Sequence, residues 1–266
     1  MKSDEVKIFG LLIIESLRKD DQKTGERLYN DLIKYKLFQE PNLSAFFYRV
    51  NSKSELLKLL NDTNEKIKIE KFFPVLHIEA HGSLDGIQLT SNEIVTWKEL
   101  IPYFQKINVL LSNLLVISLG VCYGISLIAN INPEERSPFR AIIGASKEIN
   151  QDEILHGFEV FYDNLFFSFN IENCLKLMNQ NIDSNKDRFF LITGEYCFDQ
   201  IVNPDRDPVH FQKLVSNQAI KQKLHEKKYK GVTIEEVKII VEKEIRGYFQ
   251  EASAKKDCYL MKDITG

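Results

Sequence analysis

The sequence predicts an α/β protein: a mostly parallel sheet flanked by helices on both faces, a three-layer αβα arrangement, with a C-terminal helical extension. Three observations predict it. Short apolar runs of strand length alternate with stretches of helical periodicity from the start of the chain. Two of those runs, within residues 73–80 and 114–119, lead directly into a reactive side chain beside glycine. Past about residue 185 the alternation gives way to a lysine-rich helical pattern.

Residues 6–14 read as a buried strand, and residues 25–38 as an amphipathic helix with Leu28, Leu32 and Tyr35 on one face. Residues 43–50 form a second, aromatic-rich strand. Ser52 is placed to cap a helix carrying Leu56, Leu57, Leu59 and Leu60. Residues 72–80 are the third strand, and residues 85–95 a small edge hairpin turning near Ser91-Asn92. A helix over 97–111, a strand over 114–119 and a strand over 140–144 follow. One long helix is expected over 152–178, with Ile154, Phe158, Phe161, Tyr162, Leu165 and Phe169 at helical spacing. Alternation of this kind implies parallel strands with helical crossovers, and reactive groups then sit beyond the carboxyl ends of the strands.

The expected organisation is a first domain over residues 1–184 and a mainly helical extension over 185–266. In the extension six lysines fall within residues 212–230 against one acid, Glu226. That run reads as a solvated helix face, or as a docking surface for an acidic partner. Thr233 and Glu236 have the spacing of a capping box for the last helix.

With 266 residues, 44% of them hydrophobic, the chain can bury a sizeable core. A net charge of −3 creates no field that gathers nucleic acid or acidic lipid. The four cysteines, Cys122, Cys174, Cys197 and Cys258, show no CxxC spacing, against a zinc ribbon or a disulfide framework and in keeping with a reducing cytosol. The apolar stretch at 8–14 is too short for a signal peptide or a membrane span. The expectation is a cytoplasmic protein without a cofactor, with no direct nucleic-acid partner and no membrane partner.

The chemistry concentrates in His81-Gly82-Ser83 and in Cys122-Tyr123-Gly124. A thiol attacks as thiolate and needs a base; an imidazole at the end of the neighbouring strand can take its proton and later protonate a leaving amine. The backbone N–H groups of Gly82 and Cys122 are candidates for an oxyanion hole. Gly124 is expected to let the chain turn into a following helix whose N-terminus favours the thiolate.

At these residues the chain resembles the caspase-like cysteine peptidases, the group of caspases, metacaspases, separases and bacterial CHAT domains. The shared pattern is a strand ending in His-Gly, then a strand leading to Cys-x-Gly about forty residues on, with a hairpin and a helix between. The stretch from Pro138 to Gly144 and the long helix after it look most like the bacterial CHAT-type members. The resemblance spans roughly residues 5–180 and is specific at His81-Gly82 and Cys122-x-Gly124. It implies that His81 is the general base and Cys122 the nucleophile of an endopeptidase acting on a protein substrate. It also implies a regulated effector, switched on by a protein partner, for instance in antiviral (anti-phage) defence.

The chain departs from the family two residues before the cysteine. There caspases carry glutamine and metacaspases aspartate, and this chain has Gly120. Neither an acidic nor a basic cleavage preference therefore transfers. Asp85, Gly120 and Tyr123 are candidate pocket residues; Asp85, Glu93, Asp152 and Glu153 are candidate acids for a pocket that takes Lys or Arg, against the ordinary reading of loop acids as solvated. The alternation of His77, Glu79 and His81 raises a metal reading, but zinc-peptidase histidines need helical spacing and this segment reads as strand. Two other functions stay open at this point: a non-catalytic caspase-like module that binds a partner, and a flavodoxin-like binding domain in which His81 and Cys122 are coincidental.

Overall fold

A computed structural model of the chain describes residues 8–40, 42–183, 186–203, 205, 208–225 and 229–264. It divides into two compact units: residues up to 131 together with 137–194, and residues 132–136 together with 195 onward.

The first unit is α/β. Strands β1 (Ile8–Ser16), β2 (Leu43–Arg49), β3 (Phe72–Gly82), β6 (Val116–Gly120), β7 (Ala141–Ala145) and β8 (Phe189–Thr193) lie in the order β2-β1-β3-β6-β7-β8. The first five are parallel, and β8 joins antiparallel to β7. The hairpin β4 (Gly86–Gln88) and β5 (Ile94–Thr96) extends the end of β3, pairing His81 with Gln88 and Gly82 with Ile87.

Side-chain alternation sends successive strand residues to opposite faces. Leu11, Ile13, Val75, Val116 and Ile143 face a core built with α1 (Thr24–Leu28), α5 (Gln151–Ser168) and α6 (Ile171–Ile182). Leu12, Ile14, Leu76, Ile78, Ile117 and Leu119 are buried on the alternate positions. On that side β3 meets α3 (Lys53–Glu70), which packs on α4 (Trp97–Leu110). Ser52 caps α3 through the Glu55 N–H, as the sequence predicts. Thr96 and Asn150 close full capping boxes on α4 and α5.

Three expectations about elements change. The helix expected over 25–38 carries a π turn at Tyr29–Ile33 between α1 and α2 (Lys34–Gln39). The extra residue rotates the buried stripe, so Leu28 and Ile33 are buried while Tyr35 is exposed. The long helix expected over 152–178 is two: Phe169 takes φ 52°, and Asn170 starts α6 by accepting from the Asn173 N–H. Phe169 is consequently exposed rather than part of the buried stripe. Finally, no α-helix follows Cys122. The chain turns at Tyr123, φ 57°, into a short 3₁₀ segment, Gly124–Asn130, so the turn is made before Gly124 and a helix-dipole argument for the thiol loses its basis.

The second unit is helical: α7 (Gly194–Val202), α8 (Pro208–His225), α9 (Ile234–Ser253) and α10 (Lys256–Tyr259). Phe211, Val215, Ala219, Val237 and Val241 pack α8 on α9, and Thr233 with Glu236 forms the expected capping box. Of the six lysines, Lys227 and Lys228 lie outside the described residues. No helix among the described residues is long and apolar enough to cross a membrane.

Phe158 on α5 meets the His77 ring edge-on at 4.5 Å and Phe189 of β8 at 5.2 Å between centroids. Phe158→Ala is expected to cost about 3–5 kcal/mol in urea unfolding, the cost of a large cavity in a packed core.

Candidate functional site

The carboxyl ends of β3 and β6 bring His81 and Cys122 to one cleft of about 430 Å³, also bordered by Leu17, Thr24, Gly120, Ile149 and Asp152. The two segments touch through their backbones. A Cβ on Gly82 would fall 2.1 Å from the Cys122 carbonyl oxygen and 2.9 Å from its nitrogen. Only glycine allows that approach, so the Gly of His-Gly is explained by packing against the cysteine. Ser83 N–H bonds to Gly86 O at 2.8 Å, which makes Gly82–Ile87 the non-hydrogen-bonded pair of the β3–β4 ladder. The Gly82 N–H therefore points away from β4.

His81 is half-exposed, and its Nε2 lies 2.9 Å from Asp21 Oδ2. Asp21 belongs to the turn after β1, where its carboxylate also accepts the Arg18 N–H at 2.7 Å. Partial burial opposes its charge. The hydrogen bonds from His81 and Arg18, with the charges of His81 and Lys23, outweigh that and hold its carboxyl below the ordinary value. Pairing with an anion assigns the proton to Nε2 in neutral His81, leaving Nδ1 as the acceptor nitrogen.

Cys122 is half-buried, and its sulfur accepts the Ile149 N–H at 3.4 Å while lying 3.5 Å from the Ile149 carbonyl oxygen. The other cysteines differ. Burial pushes the Cys174 thiol upward and that of Cys197 up to about 12, and Cys258 is exposed in the second unit. Cys122 is the cysteine that lines the cleft.

Beneath the cleft lies a polar network on the α5-facing side of the sheet. His77 Nε2 is 2.8 Å from Glu79 Oε1, and His77 Nδ1 is 3.0 Å from Ser118 Oγ and 3.2 Å from the Tyr162 hydroxyl. The Thr24 hydroxyl donates to Glu79 Oε2. His77, Glu79 and His81 do share a face, but Glu79 bonds to His77 and Thr24, while the partner of His81 is Asp21.

Of the candidate pocket residues, Gly120 lies on the cleft wall, and Asp85 and Tyr123 are not among the residues that line it. Asp85 sits in the hairpin turn with its carbonyl on the Trp97 N–H, and the Tyr123 N–H is bonded to Lys147 O. His156 is exposed on α5. Asp21, Thr24, Gln22, Leu17 and Ile149 complete the site and were not singled out from sequence. Asp21 carried one signal, an acid just past the carboxyl end of a strand, whose meaning depends on β1 lying beside β3. Compared with known proteins, the chain matches no family model and no curated protein.

Two outcomes follow from this geometry. Gly82→Ala should force the Cys122 backbone aside and cost about 1–3 kcal/mol in urea unfolding, with an altered rate of Cys122 alkylation. The Asp21 carboxyl is lowered from 3.8, so its stabilising contribution is complete above about pH 4 and lost as pH falls through the lower folded value. Asp21→Asn should therefore flatten the acid limb of a stability-versus-pH curve, read by thermal unfolding between about pH 2 and 6.

Proposed function

We propose that the chain is a caspase-like cysteine endopeptidase with Cys122 as nucleophile and His81 as general base. The observation that carries this reading is the convergence of the two residues on one cleft at the carboxyl edge of the parallel sheet, with Gly82 in backbone contact with Cys122.

The chemistry follows from the groups present. His81 Nδ1 takes the Cys122 proton, and the thiolate adds to the scissile carbonyl carbon, moving the carbonyl electron pair onto oxygen. The Gly82 N–H, directed away from β4, is available to that oxyanion. Collapse breaks the C–N bond, and His81 gives its proton to the departing amine. A water, deprotonated by His81, then hydrolyses the thioester and restores the thiol. Throughout, Asp21 holds the ring orientation and stabilises the imidazolium. The Ile149 N–H supplies a donor to negative charge on sulfur. Control by a protein partner and a role in bacterial antiviral defence are taken from the family resemblance, and the second, helical unit offers a surface for such a partner.

A survey of new protein N-termini, in lysate treated with the full chain, tests the reading. Cleavages made by the native protein should vanish with Cys122→Ala and with His81→Ala, and fall about tenfold or more with Asp21→Asn. Identical cleavage patterns for the native protein and Cys122→Ala would remove the peptidase reading.

A further inference from the structure

We infer that the outward face of α8 is a docking seam for an acidic amphipathic helix of a partner protein, with Ile220 and Leu224 receiving its apolar stripe and Lys213 and Lys221 meeting its carboxylates. This gives a place and a chemistry to the controlling partner proposed above, and it is independent of the peptidase chemistry.

Apolar residues stand on both sides of α8. Phe211, Val215 and Ala219, at i, i+4 and i+8, are buried in the core shared with α9. On the opposite side Lys213, Asn217, Ile220 and Leu224 follow one another by four, three and four residues, the spacing of a coiled-coil seam. All four are exposed, Ile220 at 49% and Leu224 at 75%. A helix that is apolar on both sides is ordinarily covered on both. The seam runs for about 16 Å, enough for roughly three turns of a second helix. Beside it Leu214, Gln218 and Gln222 form one wall of a groove of about 320 Å³, with Ile245 and Tyr248 of α9 on the other. Glu244 also lines the groove, and its carboxylate accepts from the Gln222 amide at 3.4 Å. The groove can take the side chains along one edge of a helix lying on the seam.

Charge decides what lies there. α8 carries three lysines, Lys213, Lys221 and Lys223, and no Asp or Glu. On α3 and α9 lysines are matched within a turn: Lys58 with Asp62, Lys66 with Glu70, Lys238 with Glu235. Neither Lys213 nor Lys221 makes an ion pair with a described residue, and Lys223 shares its field with the Glu236 carboxylate at the start of α9. Lys221 and Lys223 flank the Ile220–Leu224 seam on its two sides, at the positions whose charges set partner choice in a coiled coil. Because α8 holds no acid, a second α8 packed on the seam in either orientation brings like charges together. A copy of this chain is therefore disfavoured, and a helix with Glu or Asp in the flanking positions is favoured. A nucleic acid would meet the lysines but leave Ile220 and Leu224 in water.

The test uses the full chain and a fluorescein-labelled helical peptide about three heptads long, with Leu at the apolar positions and Glu at the flanking ones. A second peptide carries Lys in place of Glu, and a labelled single-stranded DNA serves as a polyanion without an apolar stripe. Binding is read by fluorescence anisotropy, and circular dichroism checks that each variant keeps its helix content. The Glu peptide should bind at least about tenfold tighter than the Lys peptide. Leu224→Ser and Lys221→Glu should each weaken it about fivefold or more, and Lys221→Glu should improve binding of the Lys peptide. No binding of the Glu peptide, no preference between the peptides, or no effect of Leu224→Ser overturns the proposal. DNA bound as tightly as the Glu peptide makes the face a nucleic-acid surface and overturns it too. So does a dimer, measured by light scattering, that Leu224→Ser dissociates, since the occupant is then a second copy. Cys122→Ala should bind the Glu peptide like the native chain, so failure of the seam leaves the peptidase reading standing, and the reverse.

Discussion

The carboxylate of Glu79 organises the first unit around the cleft. It is buried inside the sheet–helix layer, where a charge or a polar atom without partners costs several kcal/mol. Partners are supplied from three directions: His77 on its own strand, Thr24 at the start of α1, and, through His77, Ser118 on β6 and Tyr162 on α5. Burial raises the Tyr162 hydroxyl far above its ordinary range, so it stays an O–H within this network. A fully partnered buried network of this kind fixes one arrangement of the elements it joins, because each alternative leaves a member unpaired.

The walls of the cleft hang from those connections. Thr24 anchors the beginning of α1, and the segment just before it carries Asp21 and Gln22. Gly25 sits against both Glu15 and Glu79, with a Cβ there falling 3.3 Å from Glu15 Oε1 and 3.4 Å from Glu79 Cδ. Burial pushes the Glu15 carboxyl up, opposed by the Glu26 N–H and by Arg49, with the nearby Glu79 adding to the rise. Tyr162 fixes α5, whose first turn brings Asn150, Gln151 and Asp152 to the cleft. Asp21, His81 and Cys122 are thus positioned by a core that none of them enters.

Most of the sheet was legible because its strands are apolar runs with short polar boundaries, a signal that survives without tertiary context. The caps at Ser52 and Thr233 were legible for the same local reason. The π turn at Tyr29–Ile33 and the break at Phe169 were not, since both lie inside unbroken apolar periodicity and contain neither proline nor glycine. Strand β8 was missed because Phe189–Thr193 is short and alternates weakly. In the site, His81, Gly82 and Cys122 announced themselves through glycine beside a reactive group at a strand end. Asp21 and Asp152 looked like ordinary loop and helix-start acids. Their place depends on strand order and on where α5 begins, and both are long-range facts.

The register between β3 and β6 binds the network and the site into one constraint. Glu79 pairs with Gly120, and the glycine leaves the volume that the glutamate side chain fills. Beyond that last pair, Gly82, three residues past Glu79, lies against the backbone of Cys122, two residues past Gly120. Side chains alternate with a period of two, so a slip of one residue along β3 would turn His77, Glu79 and His81 together to the opposite face. Glu79 would then lose Thr24 and meet the apolar layer over α3 and α4, while His81 would leave Asp21 and the cleft. The energetic penalty for burying an unpartnered carboxylate therefore enforces the alignment that brings imidazole and thiol to the same edge. Gly120 is part of that alignment: a side chain two residues before Cys122 would displace Glu79. The missing pocket residue and the buried acid are one structural choice, made across two neighbouring strands.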